Sequence, residues 1–115
     1  MRSLNDIFLT CNIPDISTAD SVFIAAPDNG EVTKVFTTIA NAITVANATI
    51  TPKIGGVAMT NGAVTIAYTG SAAGDVDTSA PSAANSVTEG QSIEIATDGG
   101  STTACQATVT VVISR

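Results

Sequence analysis

The side chains of this sequence that can do chemistry are few. Ten carboxylates, two cysteines and one tyrosine stand beside four basic residues, and there is no histidine. The commonest general base is therefore missing. Cys11 and Cys105 have no histidine to activate them and no basic residue close in sequence, so neither reads as a thiolate nucleophile. They show no CxxC spacing, and a structural zinc site needs four ligands that they cannot supply. They read as free, buried thiols acting as small hydrophobes, the alternative being a disulfide between the N-terminal segment and the last strand. Asp75 and Asp77 form a close carboxylate pair within Gly74-Asp75-Val76-Asp77-Thr78. An extended chain puts both on one side, a spacing that suits Ca²⁺. The further acidic positions and closing Glu of a calcium loop are missing, which leaves solvated loop carboxylates. A glycosidase needs two carboxylates held across a groove, usually with aromatic walls. One Tyr and no Trp do not build those walls. Asn47-Ala48-Thr49 fits the glycosylation pattern but reads as strand residues. No catalytic, cofactor-binding or metal-binding residue is assigned, and neither enzyme activity nor a cofactor is expected.

Charge is sparse as well as acidic, four basic residues against ten carboxylates for a net charge of −6. Only Arg2, Lys34, Lys53 and Arg115 are basic, which speaks against nucleic-acid binding through a basic footprint and against an anionic membrane surface. No apolar run approaches the ~20 residues of a helical membrane span. The opening MRSLNDIFLTCNIPD contains Asp6 and no sustained apolar run, so no signal peptide is read there. A surface this poor in charge is weakly protected against association, and oligomers or large assemblies suit it. The 115 residues make one domain. Its Ala, Val, Ile and Thr suit the thin space between two sheets better than a helical bundle.

The elements that would position these groups are strands. Ser21–Ala26 and Glu31–Ile39 read as a strand pair joined by the turn Pro27-Asp28-Asn29-Gly30. In the second of them Val32, Lys34, Phe36 and Thr38 fall on one face and Thr33, Val35, Thr37 and Ile39 on the other. Ile43–Ile54 reads as a strand interrupted or ended by Pro52, then Gly55-Gly56 as a hairpin turn. Val57–Met59 and Ala63–Tyr68 read as strands around the turn Thr60-Asn61-Gly62. Gly70–Gly90 reads as one long structureless stretch. Ser92–Ala96 and Ala104–Ser114 alternate cleanly, with Ile93, Ile95, Cys105, Ala107, Val109, Val111 and Ile113 inward. The expectation is an all-β, single-domain β-sandwich of jelly-roll type with seven or eight short antiparallel strands. Residues 1–20 form an N-terminal arm or edge segment and 21–115 the sandwich. Leu4, Ile7, Phe8 and Leu9 place four large apolar side chains in the least regular part of the chain, and they are the candidate assembly interface. Deleting Met1–Phe8 is expected to leave a folded sandwich.

Three stretches, SVFIAAPDNGEVTKVFTTIANAITVANATITPKIGG, GAVTIAYTGSAAGDVD and SIEIATDGGSTTACQATVTVVISR, resemble in their order the small all-β decoration (cement) proteins of tailed bacteriophages. The resemblance covers Ser21–Arg115. It implies a structural protein on the outer capsid surface of the virion, made in the host cytoplasm. It further implies a homo-oligomer, often a trimer, that bridges neighbouring major capsid proteins and stabilises the shell. It transfers no binding site residue by residue. The alternative is a β-sandwich binding module of a tail, fibre or adhesin that recognises host glycans or a receptor.

Overall fold

The computed structural model of the chain describes residues 6–115. Its strands are β1 (Asp6–Ile13), β2 (Asp20–Ala25), β3 (Gly30–Ile39), β4 (Ala48–Ile54), β5 (Val57–Ala58), β6 (Val64–Ile66), β7 (Val76–Ser79), β8 (Ser86–Val87), β9 (Ser92–Thr97) and β10 (Ala107–Ser114). One sheet has the order β1-β10-β3-β7, with β8 also paired to β3. The other has the order β2-β9-β4-β5, with β6 also paired to β4. Every pairing is antiparallel. Because β5 and β6 share the flank of β4, and β7 and β8 that of β3, the ten strands fill eight positions, four in each sheet. The chain crosses between sheets from β1 to β2, β2 to β3, β3 to β4, β6 to β7, β8 to β9 and β9 to β10, the winding of a jelly roll. The all-β sandwich expected from the alternating runs is what forms.

Isoleucine and valine fill the gap between the sheets. Ile13, Ile39, Ile50, Ile66, Ile93, Ile95, Ile113, Val32, Val35 and Val64 are fully buried. Each contributes about 1.5–3 kcal/mol by leaving water, and their stiff, branched shapes match a pleated surface. The four aromatic side chains take no part. Phe8, Phe23 and Tyr68 are exposed and Phe36 is half-buried.

A bulge corrects the expected face assignment of β3. Ile113 pairs with Val32 but Val112 pairs with Lys34, so Thr33 has no rung of its own. The extra residue turns the strand over. Val32 therefore points inward together with Val35, Thr37 and Ile39, although alternation alone places it on the other face.

Other expectations change as well. The two strands on either side of Pro27–Gly30 are not a hairpin, since β2 lies in one sheet and β3 in the other. Turn-forming residues reverse the chain without choosing which sheet it re-enters. Ala26 is buried at this corner, taking the Gly90 N–H on its carbonyl and giving its own N–H to Gln91. A Cβ on Gly30 would come within 2.7 Å of both Ile113 and the Ser114 carbonyl, so the crossing requires glycine. The expected loop 70–90 contains β7 and β8, short strands with one valine each that owe their form to pairing with β3. Residues 43–47, expected as strand, are loop, and β4 begins at Ala48. Pro52 sits inside β4 rather than ending it. It falls between the rungs to β6 (Ala48–Ile50) and those to β5 (Lys53, Ile54), where that flank of the ladder is already broken. A residue without an N–H is tolerated there. Gly55 and Gly56, both with positive φ, make the expected β4–β5 hairpin.

Candidate assembly surface

The outward face of the first sheet carries the largest concentration of rings. Phe8 on β1, Val112 on β10 and Lys34 on β3 lie opposite one another in one row. Thr10, Thr110, Phe36 and Thr78 make the adjacent row. Phe8 is 54% exposed, whereas Val112, although on the side away from the core, is fully buried. Lys34 Nζ lies 5.9 Å from the centroid of the Phe36 ring, a cation–π distance. The result is an outward face of two rings, threonines and one lysine, set around the buried Val112. A face of this composition can be covered by another protein at little desolvation cost.

The four residues named as a candidate interface divide sharply. Leu4 lies outside the described residues. Ile7 and Leu9 alternate inward on β1 and pack against the core, with Cys11 beyond them. Phe8 alone of the described three faces outward. Residues 6–13 are thus a strand paired along their whole length with β10. Phe36 and Val112 were missed as partners of Phe8 because their adjacency depends on β1, β10 and β3 lying side by side, which spacing along the chain does not encode.

The remaining reactive groups stay apart. Among the described residues no three His, Cys, Asp or Glu side chains come together in a way that could hold a metal ion. Asp75 accepts the Ala72 N–H at 2.9 Å, closing its own loop. Asp77 turns inward beside Thr37, and burial, with the Asp75 charge adding to it, holds its carboxyl above the ordinary value. Its inward charge on the flank of the sheet discourages further strand pairing there. Cys105 is buried, with Sγ 3.3 Å from the Asn41 carbonyl, and Cys11 is half-buried; both are free thiols. Burial raises the Cys11 thiol above its ordinary value, the reverse of what a nucleophile needs.

No protein-family model matches the sequence, and no curated protein matches it either. Solved structures do match in fold. The carbohydrate-binding module CsCBM6-3 from Clostridium stercorarium, solved with cellobiose, superposes with a TM-score of 0.55 at 16% identity, covering 97% of this chain and 82% of that one. A chain of the capsid of Helicobacter pylori bacteriophage KHP30 gives 0.54 at 8% identity, over 93% and 85%. A chain of the cyanophage Pam1 capsid gives 0.52 at 15% identity, over 97% and 87%. At these identities the likeness is one of fold: a small β-sandwich shared by phage capsid chains and carbohydrate-binding modules.

Proposed function

We propose that this chain is a structural virion protein that decorates and stabilises a phage capsid by bridging neighbouring major capsid proteins on the outer surface of the particle. The trimeric state implied by the resemblance belongs to the same proposal. The observation that carries it is the exclusion of every ring from the core. The chain buries isoleucine and valine and leaves all four aromatics at or near the surface, with Phe8 and Phe36 on one outward sheet face. Aromatic side chains concentrate where proteins meet proteins. The glycan-binding alternative asks for rings lining a groove. Phe8, Phe23 and Phe36 stand on strands, and Tyr68 is the one ring carried by a loop.

The test is co-sedimentation with capsids assembled from the major capsid protein alone, set beside binding to immobilised host glycans. Wild-type chain is expected in the capsid pellet, and the Phe8→Ser, Phe36→Ser double variant is expected to be depleted from it. Retention on glycans without capsid binding would replace the proposal with the alternative.

A further inference from the structure

Four loops meet at one end of the sandwich, 14–19, 40–47, 67–75 and 98–106, where β1 finishes and β10 begins. The second of them contains the least expected backbone in the chain. Val45 has φ of 80°, a left-handed conformation that β-branched residues avoid. The Ala46 N–H donates to the Thr44 carbonyl at 3.0 Å, which makes Val45 the centre of a γ-turn of the rare, strained kind. Neighbouring threonines fasten this turn. The Thr44 N–H donates to Thr103 Oγ1 at 3.0 Å, and Thr102 Oγ1 donates to the Thr44 carbonyl at 3.0 Å. Beneath it, a Cβ on Gly100 would come within 2.5 Å of the Asn47 carbonyl, so the two loops are seated tightly. All this supports a side chain that is 72% exposed, and burial does not offset the strain. Tyr68, whose N–H donates to Asn47 Oδ1 at 3.0 Å, and Val76 are exposed at the same end.

The cations are segregated. Asp15, Asp20, Asp75, Asp77 and Asp98 lie in or beside these loops, whereas the described cations Lys34, Lys53 and Arg115 lie on the other half of the sandwich, where they offset the remaining carboxylates Asp6, Asp28, Glu31, Glu89 and Glu94. Four of these carboxylates are fixed by backbone donors: Asp15 by Ser17, Asp20 by Ser21, Asp75 by Ala72 and Asp98 by Thr49. A fastened apolar tip therefore projects from an acidic surround that holds none of the described cations.

We propose that this end docks into a partner protein that presents an apolar socket rimmed by lysine and arginine, with Val45 the side chain that enters the socket. Charge complementarity selects the occupant. A second copy docking end to end would set carboxylates against carboxylates, and anionic lipid or nucleic acid would be repelled in the same way. The inference rests on the reading of the chain as capsid-bound and gives that attachment a direction: the Val45 end faces the capsid protein, leaving the ring-bearing sheet face for lateral neighbours. A bridging protein needs both contacts.

The experiment compares wild type, Val45→Gly and Val45→Asp for binding to capsids assembled from the major capsid protein alone, across a sodium chloride series, with melting temperatures measured in parallel. Glycine removes the strained Cβ and the tip together. Val45→Gly is expected to melt above wild type and yet bind about tenfold more weakly, a loss within the range of a central interface residue. Val45→Asp is expected to bind more weakly still, and wild-type binding to weaken as salt rises. Wild-type binding that both variants match, or that salt leaves unchanged, overturns the docking site while leaving capsid attachment standing. Failure of the wild type to bind overturns both.

Discussion

Thr37 and Asp77 are direct partners across β3 and β7, and both turn into the sandwich at its flank. Thr37 is fully buried, and among the described residues its hydroxyl finds no hydrogen-bond partner. A buried hydroxyl left unsatisfied costs about 1–3 kcal/mol. Thr37→Val keeps the shape and removes that cost, so it is expected to raise the unfolding free energy by about 1 kcal/mol, read as a higher midpoint in urea at unchanged slope. A lower midpoint would show that the hydroxyl is satisfied in solution.

Asp77 gives a pH signature of the opposite sign to most acidic residues. Its carboxyl is held above the ordinary value by burial and by the Asp75 charge. A carboxyl raised in the folded state opposes folding once ionised. That penalty is absent below the ordinary value and grows as pH rises through the raised one. Asp77→Asn is therefore expected to be more stable than wild type at neutral pH, with the difference closing below about pH 4. Asp15 and Asp28 act the other way. Hydrogen bonds from Ser17 lower the first and the Arg115 guanidinium lowers the second. Their contributions persist above the ordinary carboxylate value and disappear as pH falls through their lowered ones. A stability difference between Asp77→Asn and wild type that did not vary with pH would contradict this account.

Neighbours on β1 are expected to separate folding from assembly. Ile7 and Leu9 pack against the core while Phe8 faces outward. Ile7→Ala and Leu9→Ala should each lower stability by about 1–2 kcal/mol, below the cost at a fully buried site because both are only half-buried. Phe8→Ala should leave the urea midpoint nearly unchanged and reduce capsid binding. Deleting Met1–Phe8 removes three of the eight rungs between β1 and β10, Asp6, Ile7 and Phe8, so a measurable loss of melting temperature is expected along with any loss of binding. Equal destabilisation by Phe8→Ala and Ile7→Ala would remove Phe8 from the interface.

The cysteines are expected to titrate as two free thiols per chain in denaturant without reductant. Cys11 lies opposite Val109 on β10, and Cys105 is four residues earlier in that segment, about 13 Å away along an extended chain. A disulfide needs Cα atoms closer than about 7 Å. A count near zero would mean bridging between copies of the chain.

How much of this the sequence discloses follows from the range of each signal. Alternation in Ile93–Ile95 and Val109–Ile113 reports a half-buried strand through adjacent residues alone, so the all-β class and the inward face of β9 and β10 are readable. The turn at Gly55-Gly56 is equally local. The crossing at Pro27–Gly30 is not, because the same turn residues serve a hairpin or a change of sheet. β7 and β8 are strands through the neighbour they pair with, and Val76-Asp77-Thr78-Ser79 carries little strand preference of its own. The bulge at Thr33 leaves no mark in composition, yet it decides that Val32 is core. Phe8, Val112 and Phe36 become neighbours only once β1, β10 and β3 are laid side by side.

A capsid decoration protein is present in many copies on each particle. Purified phage particles resolved on a denaturing gel, with this chain quantified against the major capsid protein, give that copy number. A band in a fixed, simple proportion to the major capsid protein is expected, lost when the particles are stripped of surface proteins and restored when purified chain is added back. A band absent from the particles, or present at the few copies of a tail or fibre component, would overturn the decoration role.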